Sequence, residues 1–264
     1  MIILVSPAKT FNWKRKLPKS AAKTATQPRF LNEASMIARS LRLYSQRGLG
    51  DILEVSDSLA ELNYKRLKEW DKKHTEDNSR PALYAYYGDV FQELSLDKYD
   101  KKEIEYVRES LRIISGLYGY LSGTDVIQPY RAEMKLPIRL GSASSLVQFW
   151  KEKITRSLNE DINKGKHELV LNLASKEYAK AVEFSNIEAP VISVDFKQNV
   201  KGRIKNYGLL SKRARGHMLD YCITHQCKTI ADLKKFNVEG YKLEKETKNT
   251  LGFVRAEAPE ESED

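Results

Sequence analysis

Apolar positions along this chain alternate between short unbroken runs and longer stripes spaced by three and four. Ile2-Ile3-Leu4-Val5 is an unbroken run closed by Ser6-Pro7, the pattern of a buried strand ending in a loop. Phe30, Ala34, Ile37, Leu41 and Tyr44 predict a helix over 29–46, ended by Gly48 and Gly50. Leu59, Leu62, Leu67 and Trp70 predict another over 57–70, and 81–86 reads as a strand of alternating small and aromatic residues. Ile104, Val107, Leu111 and Ile114 carry a helix from about Lys101 into the corner Ser115-Gly116-Leu117-Tyr118-Gly119. Beyond it, 136–140 reads as a short strand, and Val147, Trp150, Ile154 and Leu158 predict a helix capped by Ser144 or Ser145. A further apolar run occupies 168–173, and 191–196 with 201–207 reads as a hairpin turning near Gln198-Asn199. A helix from about Leu209, a short one over 229–236 and a hairpin of 241–245 with 251–255 complete the pattern. Buried strands interleaved with helices predict one α/β (mixed α+β) domain over 1–256, its central mixed sheet flanked by helices.

Composition narrows the class of partner. Net charge is +9, and the stretch 257–264 holds five acids and no base, so the body carries +14 without it. Such a surplus favours polyanionic partners, or serves solubility alone, and the acidic end reads as a disordered tail. Cys222 and Cys227 are too few for a disulfide framework, which predicts a reducing, cytoplasmic setting. No apolar run approaches membrane-spanning length and the opening run is too short for a signal sequence, so a soluble monomer away from membranes is expected.

Chemistry-bearing residues gather where strands end. Lys9 and Thr10 follow the first strand, while Asn172, Ser175 and Lys176 follow the run at 168–173; an α/β site assembled from several loops shows this repetition. Pro129 holds Gln128 extended, which puts Arg131 and Glu133 on one side of the chain as a polar site or a structural ion pair. Lys201, Arg203 and Lys205 alternate on a strand and precede Lys212, Arg213 and Arg215 on a helix; these six cations could track a phosphate backbone or merely protect a sheet edge. His217, Cys222, His225 and Cys227 fit no familiar metal-ligand spacing, so neither metal nor cofactor is expected. Gly-x-Ser-x-Gly and phosphate-loop motifs are absent.

Several stretches resemble the YaaA family of bacterial peroxide-stress-response proteins. They are Ser6-Pro7-Ala8-Lys9-Thr10, Tyr87-Gly88-Asp89-Val90-Phe91, Ser115-Gly116-Leu117-Tyr118-Gly119, Pro129-Tyr130-Arg131-Ala132-Glu133-Met134, Gln148-Phe149-Trp150, Asn172 through Tyr178, Lys212 through Gly216 and Phe236 through Tyr241, in the family's order. The resemblance implies binding of duplex and branched DNA in defence against peroxide, and a helix-hairpin-helix element. Either 55–67 or the glycine corner could supply that element, although Glu61 stands where such hairpins want glycine. One departure is Leu121-Ser122-Gly123-Thr124-Asp125, where the family has Leu-Arg-Pro-Leu-Asp and hence a further arginine. The expectation is sequence-independent binding of double-stranded DNA through Lys201, Arg203, Lys205, Lys212, Arg213 and Arg215, with Lys9 and Arg131 lining the cleft. The alternative is an enzyme for a phosphate- or carboxylate-bearing small molecule, its pocket built from Lys9, Arg131, Glu133, Lys176 and Arg215.

Overall fold

Ile2, Ile3, Leu4 and Val5 are 0–1% exposed, so both faces of the first strand are covered, as its unbroken apolar sequence requires. The computed structural model describes residues 1–200 and 202–255; Lys201 and the acidic stretch 257–264 lie outside the described residues. Its strands are β1 (Ile2–Val5), β2 (Arg80–Pro81), β3 (Leu111–Ser115), β4 (Gly119–Ser122), β5 (Val126–Ile127), β6 (Val170–Asn172), β7 (Val191–Val200), β8 (Arg203–Lys205), β9 (Tyr241–Thr247) and β10 (Thr250–Arg255). Eight of these form one mixed sheet in the order β4-β3-β1-β6-β7-β10-β9, with β8 paired to β7. β3, β1, β6, β7 and β10 run parallel, and β4, β8 and β9 are antiparallel additions. The chain is a single α/β domain with a central mixed sheet, as its interleaved pattern predicts.

Connectivity fixes where a site can form. From β1 the chain passes to β3 on one side and later returns to β6 on the other. The loops after β1 and β6 therefore diverge above neighbouring carboxyl ends, the crevice in which open α/β sheets bind ligands. A hydrogen bond from Ser175 N to Ser6 Oγ (2.8 Å) ties these two loops together.

The helices are α1 (Lys19–Lys23), α2 (Leu31–Leu41), α3 (Gln46–Leu53), α4 (Asp57–Glu69), α5 (Ala82–Ala85), α6 (Lys101–Ser110), α7 (Leu146–Gly165), α8 (Lys176–Ala179), α9 (Gly208–Thr224) and α10 (Ile230–Lys234). Local chemistry sets several boundaries. Asp100 and Glu103 form a reciprocal capping box at the start of α6, and Ser145 Oγ accepts from Gln148 N at the start of α7. Glu54, at φ 54°, turns the chain between α3 and α4, and Gly50 lets Ala60 approach closely enough to pack the two helices together.

Five local expectations are corrected. The helix entering the glycine corner stops at Ser110, and Leu111 and Ile114 belong to β3. A strand buried on both faces places apolar residues at every spacing, so it mimics a continuing helical stripe. The 81–86 stretch is mostly the single turn α5, whose side chains are all buried, leaving no periodicity to read. Residues 136–140 form no strand, only a bridge from Leu140 to Ala143. Gln198 and Asn199 pair with Lys205 and Ile204, so the β7–β8 hairpin turns between Val200 and Arg203. The glycine corner is a β-hairpin between β3 and β4, which removes it as a helix-hairpin-helix candidate.

At the amino end of β3 an arginine interrupts the apolar run, and the fold answers it with acid. Arg112 Nε contacts Asp161 Oδ2 at 2.6 Å, and Arg29 reaches Asp161 Oδ1 at 2.7 Å. Nearby Asp125 accepts hydrogen bonds from Thr26 Oγ1 and Ser122 N, yet burial outweighs them and pushes its carboxyl up to about 6. Because the folded value lies above the unfolded one, this group's stabilising contribution is complete below the ordinary carboxyl range and is lost as pH rises through about 6. That loss is on the order of 3 kcal/mol. Carboxyl carbon NMR should place the Asp125 titration midpoint near 6; a midpoint in the ordinary carboxyl range would contradict this account of its burial.

Candidate functional site

The carboxyl edge of the sheet brings Lys9 to the pair Arg131 and Glu133, which the sequence singles out apart from it. Glu133 is 5% exposed at its side chain, and both its oxygens are taken: Lys9 Nζ lies 3.0 Å from Oε2, and Arg131 Nη2 lies 3.0 Å from Oε1. Arg131 Nε also donates to Oε1, at 3.2 Å. A carboxylate this deeply placed is tolerable because two cations flank it. Lys9 remains 56% exposed and presents its ammonium to solvent.

Glycine 116 makes this arrangement possible. A Cβ there would come within 2.1 Å of Ala132 O, so the β3–β4 turn abuts the backbone that carries Arg131 and Glu133. Trp150 Nε1 donates to Gly116 O at 2.9 Å and holds the turn in place. Gly116→Ala is expected to cost roughly 1–3 kcal/mol through overpacking. A urea unfolding midpoint unchanged from wild type would show that the contact yields freely.

Beneath the ion pairs runs a chain of buried hydroxyls. Tyr86 and Tyr130 meet at 2.6 Å, Tyr130 meets Ser115 Oγ at 2.6 Å, and Tyr118 N donates to that same Oγ. Burial raises the Tyr86 phenol well above its ordinary range and Tyr130 to about 12, so both stay neutral at physiological pH. Phe11 stacks on Tyr86, and the Arg66 guanidinium lies 5.5 Å from the Phe11 ring centroid. Burial, and then repulsion from Arg131, lower the Arg66 pKa. The Arg66 guanidinium thus lies close enough to Arg131 to feel its charge.

Arg66, Phe11 and Tyr86 lie outside the residues that the sequence singles out, while Ser115, Tyr118 and Tyr130 fall in stretches that carry the resemblance without a role assigned to their hydroxyls. The enclosed space bounded by Lys9, Tyr130, Arg131, Glu133 and Tyr178 is about 10 Å³, which leaves no room for a metabolite.

The remaining predicted residues are distributed unevenly. Lys176 opens α8 directly after β6 and is exposed at the same carboxyl edge. β7 continues past its last pairing with β6, at Ser193, and carries β8 as an overhanging arm. Every residue of β8 is exposed, including Ile204 at 58%, so both faces of this part of the arm meet solvent. Arg203 and Lys205 lie on it, and Lys197 on β7 is exposed beside them. By contrast, Lys212 pairs with Asp89 at 3.3 Å and Arg213 with Glu93 at 2.6 Å. Arg215 is half-buried, with burial lowering its pKa against the pull of Asp195. Lys201 lies outside the described residues.

Residues 1–247 match the family described as Peroxide stress protein YaaA. The chain belongs to the YaaA family. A UPF0246 protein of Flavobacterium johnsoniae is 39% identical over 97% of this chain and all of its own length. One from Aliivibrio fischeri is 38% identical and one from Legionella pneumophila 35% identical, each over 97% of this chain and 99% of its own.

The stretches that carry the YaaA resemblance meet in two places. Those holding Lys9, Gly116, Arg131–Glu133 and Ser175 assemble the carboxyl-edge site. Those holding Asp89 and Lys212–Gly216 join where Gly216 packs against Val90 O, so close that a Cβ there would lie 2.4 Å away. His217 pairs with Glu93 and His225 stacks on Tyr221. Among the described residues no three His, Cys, Asp or Glu side chains are arranged to hold a metal ion. Nor, among them, is any helix long and apolar enough to cross a membrane.

Proposed function

We propose that the protein serves peroxide defence by binding the backbone of duplex and branched DNA across the carboxyl edge of its sheet, largely without regard to sequence. One observation carries this reading: the parallel strands β1, β6 and β7 lead to Lys9, Lys176 and Lys197 at one edge, and the antiparallel β8 adds Arg203 and Lys205 beside Lys197. β1 and β7 are separated only by β6, which puts these two strands about 10 Å apart in the sheet. That spacing suits successive phosphates along a duplex, and exposed cations release counterions when phosphate replaces them. Lys212 and Arg213 contribute less, because each has an acid of its own in Asp89 and Glu93, whereas Glu133 is shared by Lys9 and Arg131 and leaves one positive charge there.

Lysine acetylation footprinting with and without duplex tests the assignment. Lys9, Lys176, Lys197 and Lys205 should be protected by DNA, while Lys164 and Lys166, at the far end of α7, stay reactive. Uniform protection, or none at the carboxyl edge, would count against it.

A second reading takes the Lys9, Arg131 and Glu133 site as an enzyme's pocket for a small anion. The juxtaposed guanidiniums of Arg66 and Arg131 favour it. It requires the present space of about 10 Å³ to open. If Glu133→Gln abolished turnover of a phosphorylated metabolite found by screening, while duplex affinity stayed intact, this reading would displace the first.

A further inference from the structure

Helix α9 ends in a left-handed turn that brings two thiols together. Gln226 has φ 49°, Cys227 N donates to Cys222 O at 3.0 Å, and Gln226 N donates to Ile223 O at 3.3 Å. These are the two hydrogen bonds of a Schellman motif, in which the residues corresponding to Cys222 and Cys227 pack their side chains against each other. Such contacts are usually between apolar residues, and here both positions are cysteine. The covalent lengths on either side of the Cys227 N to Cys222 O bond keep the two Cα atoms within about 7 Å, inside the reach of a disulfide. Both thiols are free and buried. Cys227 nevertheless lies just beneath the surface, between the exposed residues Gln226 and Lys228.

We propose that Cys222 and Cys227 form a peroxide-oxidisable dithiol, with Cys227 the attacking sulfur and Cys222 the resolving one. The reading stands apart from DNA binding and needs only hydrogen peroxide as oxidant. Cys227 sulfur takes one peroxide oxygen as the O–O bond breaks, giving a sulfenic acid; the hydroxide released and the thiol proton become water. Cys222 sulfur then displaces the sulfenic hydroxyl, which leaves as a second water with the Cys222 proton, and the S–S bond closes. Two thiols lose two electrons and one peroxide is reduced to two waters. The roles follow the surroundings: a hydrogen bond from Cys222 lowers the Cys227 pKa, whereas burial raises that of Cys222 well above its ordinary value.

The test treats the folded full-length protein with hydrogen peroxide, alkylates it after denaturation and measures intact mass. The expected product has lost two hydrogens, takes up no alkyl groups, yields a cross-linked 222–227 peptide and returns to the dithiol with dithiothreitol. In Cys222→Ser the Cys227 sulfenic acid should accumulate and be trapped by dimedone, and in Cys227→Ser no adduct should form at Cys222. Two alkylatable thiols in treated wild-type protein, disulfides between chains, or sulfinic and sulfonic products without a cross-link would each overturn the proposal. The wild-type mass alone decides the matter if a variant fails to fold.

Discussion

Replacing Glu133 with alanine is expected to lower stability by about 3 kcal/mol, because it leaves the half-buried Arg131 without a counter-charge. Among the described residues Glu133 is the only carboxylate within ion-pair distance of Arg131, and Arg66 adds repulsion to the same guanidinium. Lys9 loses its partner too, but its exposure lets water compensate, which holds the cost at the low end for a broken buried pair. Removing Arg131 as well, as Arg131→Met, should recover most of the loss, since the unpaired charge and not the missing contact is what costs. Urea unfolding of the single and double variants measures this. An unchanged midpoint in Glu133→Ala would mean that water already solvates Arg131. The same substitution bears on function: with its acid gone, the site is more positive, and affinity for duplex should rise where Lys9 and Arg131 contact phosphate.

Neutralising Arg203 and Lys205 on the arm together with Lys201, as the triple alanine variant, should weaken duplex binding roughly tenfold to a hundredfold at moderate salt and flatten the salt slope by about 0.9 for each lost contact. Stability should barely change, because the residues of β8 are exposed and bury little surface. A paired comparison sharpens the result. Lys212→Ala with Arg213→Ala removes two charges against three, and should cost less affinity per charge removed, since Asp89 and Glu93 already hold those cations. Equal losses per charge in the two variants would mean that only net charge matters and that the arm has no special place. Anisotropy of a labelled duplex reads both.

How much of this was legible in the sequence follows from what each signal encodes. The unbroken run at Ile2–Val5 announced a strand buried on both faces, and Ser6-Pro7 announced the loop that carries Lys9. The Arg131 and Glu133 pairing followed from a proline and a spacing of two. Both are local facts. That Lys9 closes onto the far side of Glu133 is not local: it depends on β1 lying beside β3 and on Gly116 admitting Ala132, and neither is written in the spacing of residues. Leu111 and Ile114 misled because a doubly buried strand satisfies helical periodicity too. The strip from Lys201 to Arg215 looked uniform in sequence, but folding divides it: Arg203 and Lys205 stand free on an arm, while Lys212 and Arg213 find acids more than a hundred residues away. The cysteine pair was passed over because its spacing of five matches no familiar motif; the left-handed Gln226 that joins the two has no side-chain signature.

The most direct measurement is the affinity of the wild-type protein for a labelled duplex across a salt series. Five or six phosphate contacts at the carboxyl edge call for saturable binding at low salt and a logarithmic slope of about −5. Absence of saturable binding at low salt, or affinity indifferent to salt, would contradict the account and leave the Lys9, Arg131 and Glu133 site to be understood as an enzyme's.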